Sequence, residues 1–498
     1  MAQMWERFVR TAEKQAGRIA LVQGEGSISF ADLMHRAECL SCAIDVQAGG
    51  RVVVCAENSV AVAELLLAVW RCGGVPVLVS ARAPSMHIEH AIAKSGAKLA
   101  FADDGIAAGH ANLRPLGSLG GAENATGLAV PATSAEEIGS IVFTSGSTGL
   151  PKGVVQPASN LIDGAERIAR LMEYGPSDSI LCTVPFSFDY GWGQFLSMVV
   201  SGVPLVLPEK ANGFELCAAL QKHRPTVMAA VPSVLAELLL GLAPVAETDC
   251  SSIRLITNTG SRIPGSVLEA LLLTFPEAHL SLNYGLTETY RSTSLPFNLA
   301  REKPQSVGFP VEGVEIRILR EDGTVARDGE TGELCHLGAG VFACYWDEPE
   351  LTARTRCEFQ SADGETVIGV RTGDFGYRDA DGLLYLEGRR DRLVKCMGIR
   401  ISLAEIEEAI DRTGLVRDAA VIALDHDVFG SFLVAHVVAP EDVDAAGAKQ
   451  VVKQLRAQLR ESLANYQQPR KIMLHDALPR TGSGKHNLAQ LKAMSNVV

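Results

Sequence analysis

With 498 residues the chain is longer than one ordinary hydrophobic core organises, so two or more domains are expected. Its 47% hydrophobic and 21% charged residues are the balance of a globular protein in water. A net charge of −13, with no basic run and no basic patch interleaved with aromatics, argues against a nucleic-acid-binding surface.

The N-terminal stretch MAQMWERFVRTAEKQ is charged throughout and predicts an amphipathic helix with Trp5, Phe8, Val9 and Ala12 on one side. It lacks the apolar centre of a signal peptide, and VAVAELLLAVW is too short to span a bilayer. A cytoplasmic protein is expected. Cys39 and Cys42 form a CxxC inside the helical pattern ADLMHRAECLSCAI, with no second pair at zinc-site spacing, so core packing is their expected role.

From residue 51 onwards, apolar strands alternate with helical patterns. RVVVCAE, VPVLVS and KLAFADD predict strands, with helices over SVAVAELLLAVWRCG and SMHIEHAIAKSG between them. His87 and His90, three apart on an exposed helix start, make a weak metal site. After a glycine- and alanine-rich loop over 105–135 the rhythm resumes. SILCTVP, PLVLPE, TVMAAVP and IRLITNTGS predict strands, and GQFLSMVVSG, FELCAALQKHRP, SVLAELLLGL and GSVLEALLLTFP predict helices. Such βαβα alternation gives a parallel sheet with helices on both faces. Near residue 305 the pattern changes to short strands punctuated by DG and GE turns, a small β-rich unit. The last hundred residues read as α+β, with helices over LAEIEEAIDRTG and AAGAKQVVKQLRAQLRESLA and strands over DAAVIALD and SFLVAHVVA. The expected fold class is therefore α/β: a large N-terminal domain of parallel α/β sheets with a small β-rich subdomain (1–390), then a small α+β C-terminal domain (391–498).

Between EEIGSIVF, which predicts a buried strand, and the helical spacing that starts near Asn160, the chain reads FTSGSTGLPKGV. The whole stretch is expected to be a mobile loop. Glycines let the backbone close in on phosphate, hydroxyls donate to it, and a lysine adds charge. Pro151 and Gly153 flank Lys152, so the usual P-loop order is broken and a kinase or GTPase reading fails. An acidic chain that binds a nucleoside triphosphate also needs a metal ion. NYGLTETY offers a ring for a base, a hydroxyl for phosphate, and Glu288 as a hard oxygen ligand for Mg²⁺. RTGDFGYRDADG sets Asp374 where a carboxylate accepts two ribose hydroxyls or makes an Asx-turn. GRRDRLVKCMGIRIS gathers five cations around Asp391, and PRTGSGKHN carries Lys485 on a Gly-Ser-Gly arm.

Taken in order, TSGSTGLPKGV, YGLTE, TGD, GRRD, the K…GIRI…EIE run and PRTGSGK resemble the ANL adenylate-forming superfamily along essentially the whole chain. That superfamily comprises acyl-CoA synthetases, peptide-synthetase adenylation domains and luciferases. The resemblance implies ATP and Mg²⁺ as cofactors, acyl-adenylate formation with release of pyrophosphate, and transfer to the phosphopantetheine thiol of CoA or of a separate carrier protein. It implies that Thr144, Ser145, Gly146, Ser147, Thr148, Gly149 and Lys152 surround the β,γ-phosphates. Tyr284 would stack on adenine beside Gly285, Thr287 would meet the α-phosphate, and Glu288 would hold Mg²⁺. Asp374 would bind the ribose with help from Arg389, and Asp391 would be the hinge. Lys485 would enter the site for the first half-reaction, and Gly398 and Arg400 would line the thiol channel of the second.

For the acid pocket, the resemblance points to the wall FSFDYGWGQF with Asp189, Tyr190 and Gly193, to Ala229, to TNTG with Thr257 and Thr259, and to Asn283 and Arg291. Asp189 stands where amino-acid-activating relatives grip the α-amino group, or else it caps the helix over GQFLSMVVSG. The Gly191, Trp192 and Gly193 that follow depart from the amino-acid pattern, and Phe188 replaces the histidine of many fatty acyl-CoA ligases. Arg291 pairs with Asp189, holds a second carboxylate of the substrate, or points to solvent. The expected activity is that of an AMP-forming acid–thiol ligase. The alternative is a stand-alone enzyme that activates an amino acid for a separate carrier protein. A non-enzymatic nucleotide sensor would be expected to have lost Lys485, Glu288 or Asp374, and all three are present. The partners expected are a small carboxylic or amino acid and CoA or a carrier protein, with neither nucleic acid nor membrane.

Overall fold

The computed structural model describes residues 2–119, 137–144, 150–360, 364–389, 392–396, 399–426, 430–440, 445–463, 467–481 and 484–495. The chain divides into two compact units: residues 1–261, 274–317 and 335–372 form the first, and 262–273, 318–334 and 373–498 the second.

The first unit carries two sheets. In one, strands Ile19–Gln23, Leu205–Leu207, Ile180–Cys182, Val227–Ala230, Leu255–Asn258 and His279–Tyr284 lie side by side and all parallel. Gly26–Ser29 closes one end of this run antiparallel, and Thr293–Leu295 followed by Ser306–Pro310 continues the other. In the second sheet Arg114–Pro115, Leu99–Ala102, Arg51–Cys55, Val75–Leu78 and Ile138–Thr144 are parallel. Most of these strands are buried on both faces, which is why they read as unbroken apolar runs rather than as alternation.

Helix Val60–Arg71 is buried along almost its whole length, as is Asp189–Ser201. Trp70 and Trp192 meet at 5.4 Å between ring centroids, and Phe195 stacks on Trp192 at 5.3 Å. Trp70 donates its indole N–H to the Gly139 carbonyl (2.8 Å), satisfying a polar group that burial would otherwise penalise. The N-terminal helix Ala2–Lys14 buries Trp5, Phe8 and Ala12 of the predicted face and adds Met4, whereas Val9 is only partly buried. Cys39 is buried on helix Phe30–Ala43 as a free thiol.

The glycine-rich stretch differs from the expected loop. Strand Ile138–Thr144 is followed by a second strand, Lys152–Pro157, which pairs back antiparallel with Thr144 opposite Lys152. The connection is thus shorter than FTSGSTGLPKGV, and helix Ala158–Leu171 starts directly after that strand. The sequence expectation failed here because GVVQP offers no alternation, and its Gly153 sits where a Cβ would come within 3.0–3.2 Å of Ile141 and Phe143. The loop expected over 105–135 also holds short elements, helix Asp104–Ala107 and strand Arg114–Pro115.

The second unit contains an antiparallel sheet of Asp418–His426 and Gly430–Val438, with Lys471–His475 added parallel to the latter. Helices Leu403–Asp411 and Ala445–Ser462 supply Ile406, Ile410, Leu455 and Leu459 to its core beside Val421 and Val437. A hairpin of Leu393–Cys396 and Ile399–Ser402 precedes them. Together with the strands Val314–Leu319, Gly332–Gly338, Thr366–Arg378 and Leu384–Arg389 of the β-rich stretch, this is the α/β plus α+β architecture expected. No helix among the described residues is long and apolar enough to cross a membrane.

Candidate active site

In an open parallel sheet, ligands gather outside the carboxyl ends of the strands. Here those ends present Ala229, the TNTG segment and the YGLTE turn from three neighbouring strands. Ala229 is paired with Thr257, and Thr257 with Ser281, so the register brings these stretches to one level.

The YGLTE turn is fixed by groups remote in sequence. Gln156 donates its side-chain amide to the Thr287 carbonyl (2.7 Å), and the Phe342 amide donates to the Glu288 carbonyl (2.9 Å). Asn160 holds the Val341 carbonyl (2.6 Å). Gly285 lies so close to Tyr290 and Arg291 that a Cβ would meet the Tyr290 carbonyl at 3.0 Å. Inside the turn Thr289 meets Ser292 at 3.0 Å, and Ser292 meets His336 Nδ1 at 3.0 Å. His336 Nε2 lies 2.8 Å from the Ala339 carbonyl, which only accepts, so Nε2 carries the proton and Nδ1 accepts from Ser292. Burial pushes the imidazole down to about 4, with Arg167 adding to the fall, so the chain of bonds persists uncharged at neutral pH. His336 has no motif around it in the sequence, and only the fold reveals its part.

Glu288 accepts a hydrogen bond from the Tyr345 hydroxyl (2.5 Å), and Lys152 Nζ lies 5.6 Å from the centre of the Tyr345 ring. Tyr345 is thus the link between the lysine and the carboxylate, and sequence reasoning missed it. Thr144 stands opposite Lys152 on the neighbouring strand. Ser145, Gly146, Ser147, Thr148 and Gly149 lie outside the described residues. No group of three or more His, Cys, Asp or Glu side chains suited to a metal occurs among the described residues. A single carboxylate such as Glu288 nonetheless fits Mg²⁺, which takes one or two protein carboxylates and completes its octahedron with water and substrate phosphates.

Among the residues expected to line an acid pocket, Tyr190 donates its hydroxyl to the Thr257 carbonyl (2.6 Å), and Thr259 donates to the Asn283 carbonyl (3.0 Å). The Asn283 side-chain amide is engaged by Thr257, Asn258 and Ser281 at 2.9–3.1 Å, so this residue ties adjacent strand ends together. The capping role for Asp189 is not the one observed. Phe188 occupies the cap position, without a side-chain hydrogen bond, and Asp189 is the first helical residue, where its charge complements the helix dipole. Arg291 does not point to solvent: only 7% of its surface is exposed. It stacks over Tyr190 at 6.0 Å. Tyr290, just before it, has a backbone φ of +60°, a left-handed conformation seldom adopted by bulky residues and concentrated at functional sites. Its ring fills space left by two glycines. A Cβ on Gly164 would lie 2.7 Å from the ring, and one on Gly193 3.4 Å from the hydroxyl.

In the second unit, Asp374 is 7% exposed on strand Thr366–Arg378 and stands in register opposite Arg389. Asp391 and Gly398 lie outside the described residues, and Arg400 pairs in register with Lys395. Lys485 is exposed at the end of a tight loop. The Thr481 amide donates to its carbonyl (2.7 Å), and Arg480 reaches the Gly484 carbonyl (2.8 Å). Asp418 clamps both flanks, accepting from Arg480 (2.6 Å) and His486 (2.9 Å). Burial alone would raise the Asp418 carboxyl, but His486 and Arg480 hold it below the ordinary carboxylate value.

Residues 8–346 match the AMP-binding enzyme family and residues 405–485 the AMP-binding enzyme C-terminal domain. Tyrocidine synthase 3 of Brevibacillus parabrevis is 28% identical over 96% of this chain, which spans only 7% of that protein. The sulfoacetate–CoA ligase of Cupriavidus necator is 30% identical over 88% of this chain and 86% of its own length. Among solved structures, the o-succinylbenzoate CoA synthetase of Bacillus subtilis in complex with its acyl-adenylate intermediate superposes with a TM-score of 0.84. It is 25% identical, with 98% of this chain and 97% of that chain covered, and it is also known with ATP and magnesium ion. The chain belongs to the AMP-binding enzyme family, within the adenylate-forming superfamily.

Proposed function

We propose that this chain joins a carboxylic acid to ATP as an acyl-adenylate, releasing pyrophosphate, and then passes the acyl group to the thiol of CoA. One observation carries the reading: Lys152, Tyr345 and Glu288 form one cluster at the turn that also presents Thr287 and Tyr284. That cluster offers a cation, a metal-binding carboxylate, a hydroxyl and a base-stacking ring to one nucleotide.

The chemistry follows from charge. A carboxylate is unreactive to thiols until its oxygen becomes part of a leaving group, and attack on the α-phosphate achieves this. As the P–O bond to pyrophosphate breaks, negative charge gathers on the α-phosphate and the departing oxygens. Thr144 to Gly149 and Lys152 hold the β,γ-phosphates, Thr287 the α-phosphate, Tyr284 the adenine, and Asp374 with Arg389 the ribose. Bound at Glu288, Mg²⁺ supplies the positive charge that offsets this build-up. Lys485 delivers a further cation for this half-reaction only. A hinge at Asp391, between domains 1–390 and 391–498, then brings Gly398 and Arg400 to the thiol channel. CoA as acceptor draws support from the names of the sulfoacetate–CoA ligase and the o-succinylbenzoate CoA synthetase.

Acid-dependent exchange of pyrophosphate into ATP, measured without any thiol, tests the first half-reaction. Exchange with at least one acid is expected, and its absence from folded, ATP-binding protein would overturn the proposal. A second reading, amino-acid activation for a carrier protein, is favoured by Asp189, which is not the helix cap and acts electrostatically on Tyr290. Under that reading, exchange depends on an amino acid and Asp189→Ala abolishes it. Under the first, simple acyl acids support exchange and Asp189→Ala keeps most of it.

The two glycines beneath Tyr290 give another expected result. Gly164→Ala places a methyl 2.7 Å from the Tyr290 ring, a distance at which the ring has to shift. Alanine is the better helix former by about 1 kcal/mol, so the protein should remain folded. A misplacement approaching 1 Å costs on the order of 10²-fold. Steady-state exchange should therefore show kcat/KM for the acid falling by up to that factor while the KM for ATP stays constant.

A further inference from the structure

Beside Tyr190, where the proposed acid pocket lies, stands a cation without a counter-ion among the described residues. Arg291 is buried, its Nη1 has no hydrogen-bond partner among the described residues, and no described carboxylate forms an ion pair with it. Two other arginines of the same unit show the usual arrangement. Arg254 grips both oxygens of Asp178 at 2.6 and 2.8 Å, and Arg167 holds Asp163 at 2.9 Å.

Three phenols surround Arg291. Its guanidinium lies over the ring of Tyr190 and within electrostatic range of Tyr174 and Tyr290. Burial pushes all three phenols far above their ordinary range, so each stays a neutral hydroxyl and none serves as the missing anion. Tyr190 donates to Thr257, but the hydroxyls of Tyr174 and Tyr290 are buried without a partner among the described residues. Three donors in one cluster thus lack acceptors. A guanidinium does not escape burial by losing its proton, and buried charge that is neither paired nor hydrogen-bonded is strongly disfavoured. The group that completes such a cluster is an oxyanion, whose planar or tetrahedral oxygens match the guanidinium fork.

We infer that Arg291, with the hydroxyls of Tyr174 and Tyr290, binds a second oxyanion on the acid substrate, a carboxylate or sulfonate distant from the carboxyl group that is adenylated. This rests on the proposed acid activation and narrows its substrate class to dianionic acids. Asp189 acts electrostatically on Tyr290, so an anion held at the Tyr290 hydroxyl feels its negative charge, and Asp189→Asn should improve dianion use.

The test is pyrophosphate exchange with malonate, succinate, glutarate, isophthalate and sulfoacetate. Each is set against the monoacid that carries a methyl group in place of its second anion. A site built for a polar group rejects the analogue that lacks it by several orders of magnitude. At least one dianion should therefore exceed its partner by about 10²-fold or more in kcat/KM. Arg291→Met should erase or invert that ratio with the KM for ATP unmoved, and Tyr290→Phe should reduce it in the same direction. Wild-type preference for the monoacids would overturn the inference, as would equal loss of both classes in Arg291→Met. Calorimetry with the same acids separates this from failure of the proposed activity. Heat of dianion binding that Arg291→Met or Tyr290→Phe removes, without any exchange, would keep the anion site and discard the ligase. Neither exchange nor binding would discard the site. If Arg291→Met fails to fold, Tyr290→Phe carries the comparison alone.

Discussion

Replacing Lys485 with alanine is expected to slow adenylate formation by on the order of 10²–10³-fold, while thioester formation from a supplied acyl-adenylate continues near the wild-type rate. In the proposed mechanism Lys485 brings its charge to where negative charge develops in the first half-reaction, and the thiol step develops none there. The loop geometry makes the experiment clean. Its backbone is held by the Thr481 amide on the Lys485 carbonyl, by Arg480 on the Gly484 carbonyl, and by Asp418 beneath both Arg480 and His486. None of these bonds uses the lysine side chain, so truncation removes a charge without loosening the arm. Pyrophosphate release in a single turnover reads the first step, and CoA consumption with a chemically made adenylate reads the second. Equal loss of both would show that Lys485 serves the site as a whole and would remove the reason for a swing about Asp391.

Much of the fold is legible in the sequence because its strands are buried on both faces. RVVVC, VPVL and LAFA are apolar runs of strand length, bounded by glycine and by helices with apolar spacing, and the structure places each as a strand. Lys152–Pro157 is the counter-example. A strand that opens with lysine and glycine and ends in proline carries no period, and its pairing with Ile138–Thr144 is a tertiary fact. Lys471–His475 and the helix Leu488–Ser495 escaped notice for the same reason: each is short and is stabilised by the sheet it joins.

The site divides along a similar line. Glu288, Thr287 and Lys485 stand out because turns rich in glycine rarely carry such side chains together. Tyr345, His336 and Gln156 stand out in no local pattern, yet they anchor the YGLTE turn from distances of 57, 44 and 131 residues along the chain. Sequence spacing names the groups proposed to meet a substrate, and packing names the groups that hold the YGLTE turn still. Asp189 shows the limit of local rules. A favoured capping residue before a helix is expected at the cap, but the helix starts at Asp189 itself, ahead of the expected GQFLSMVVSG, and leaves the carboxylate in its first turn.

The opposite end of the parallel sheet yields the largest expected loss of stability. Asp178 is 3% exposed and accepts from the Gly175 amide (2.7 Å), the Thr226 hydroxyl (2.6 Å), and Arg254 through both oxygens. Through these bonds it joins the turn after helix Ala158–Leu171 to the starts of strands Ile180–Cys182, Val227–Ala230 and Leu255–Asn258. Asparagine has the same shape but turns one acceptor into a donor that faces other donors. Removing one partner of a buried pair costs roughly 3–5 kcal/mol, and because Arg254 is one-third exposed and regains water, about 3 kcal/mol is expected. A lower urea midpoint for Asp178→Asn measures this, with the KM values for ATP and acid unchanged because the proposed site lies at the carboxyl ends of the strands. The pH dependence gives an independent check. Burial alone would raise the Asp178 carboxyl, yet Arg254, Gly175 and Thr226 together hold it below the ordinary carboxylate value. A carboxyl depressed in the folded state contributes stability that is complete above its unfolded pKa of about 3.9 and is lost as pH falls through the folded value. The gap between wild type and Asp178→Asn should therefore be constant from pH 7 to about 5 and narrow only below about 4. A gap that closed near pH 6 would instead assign the loss to a histidine.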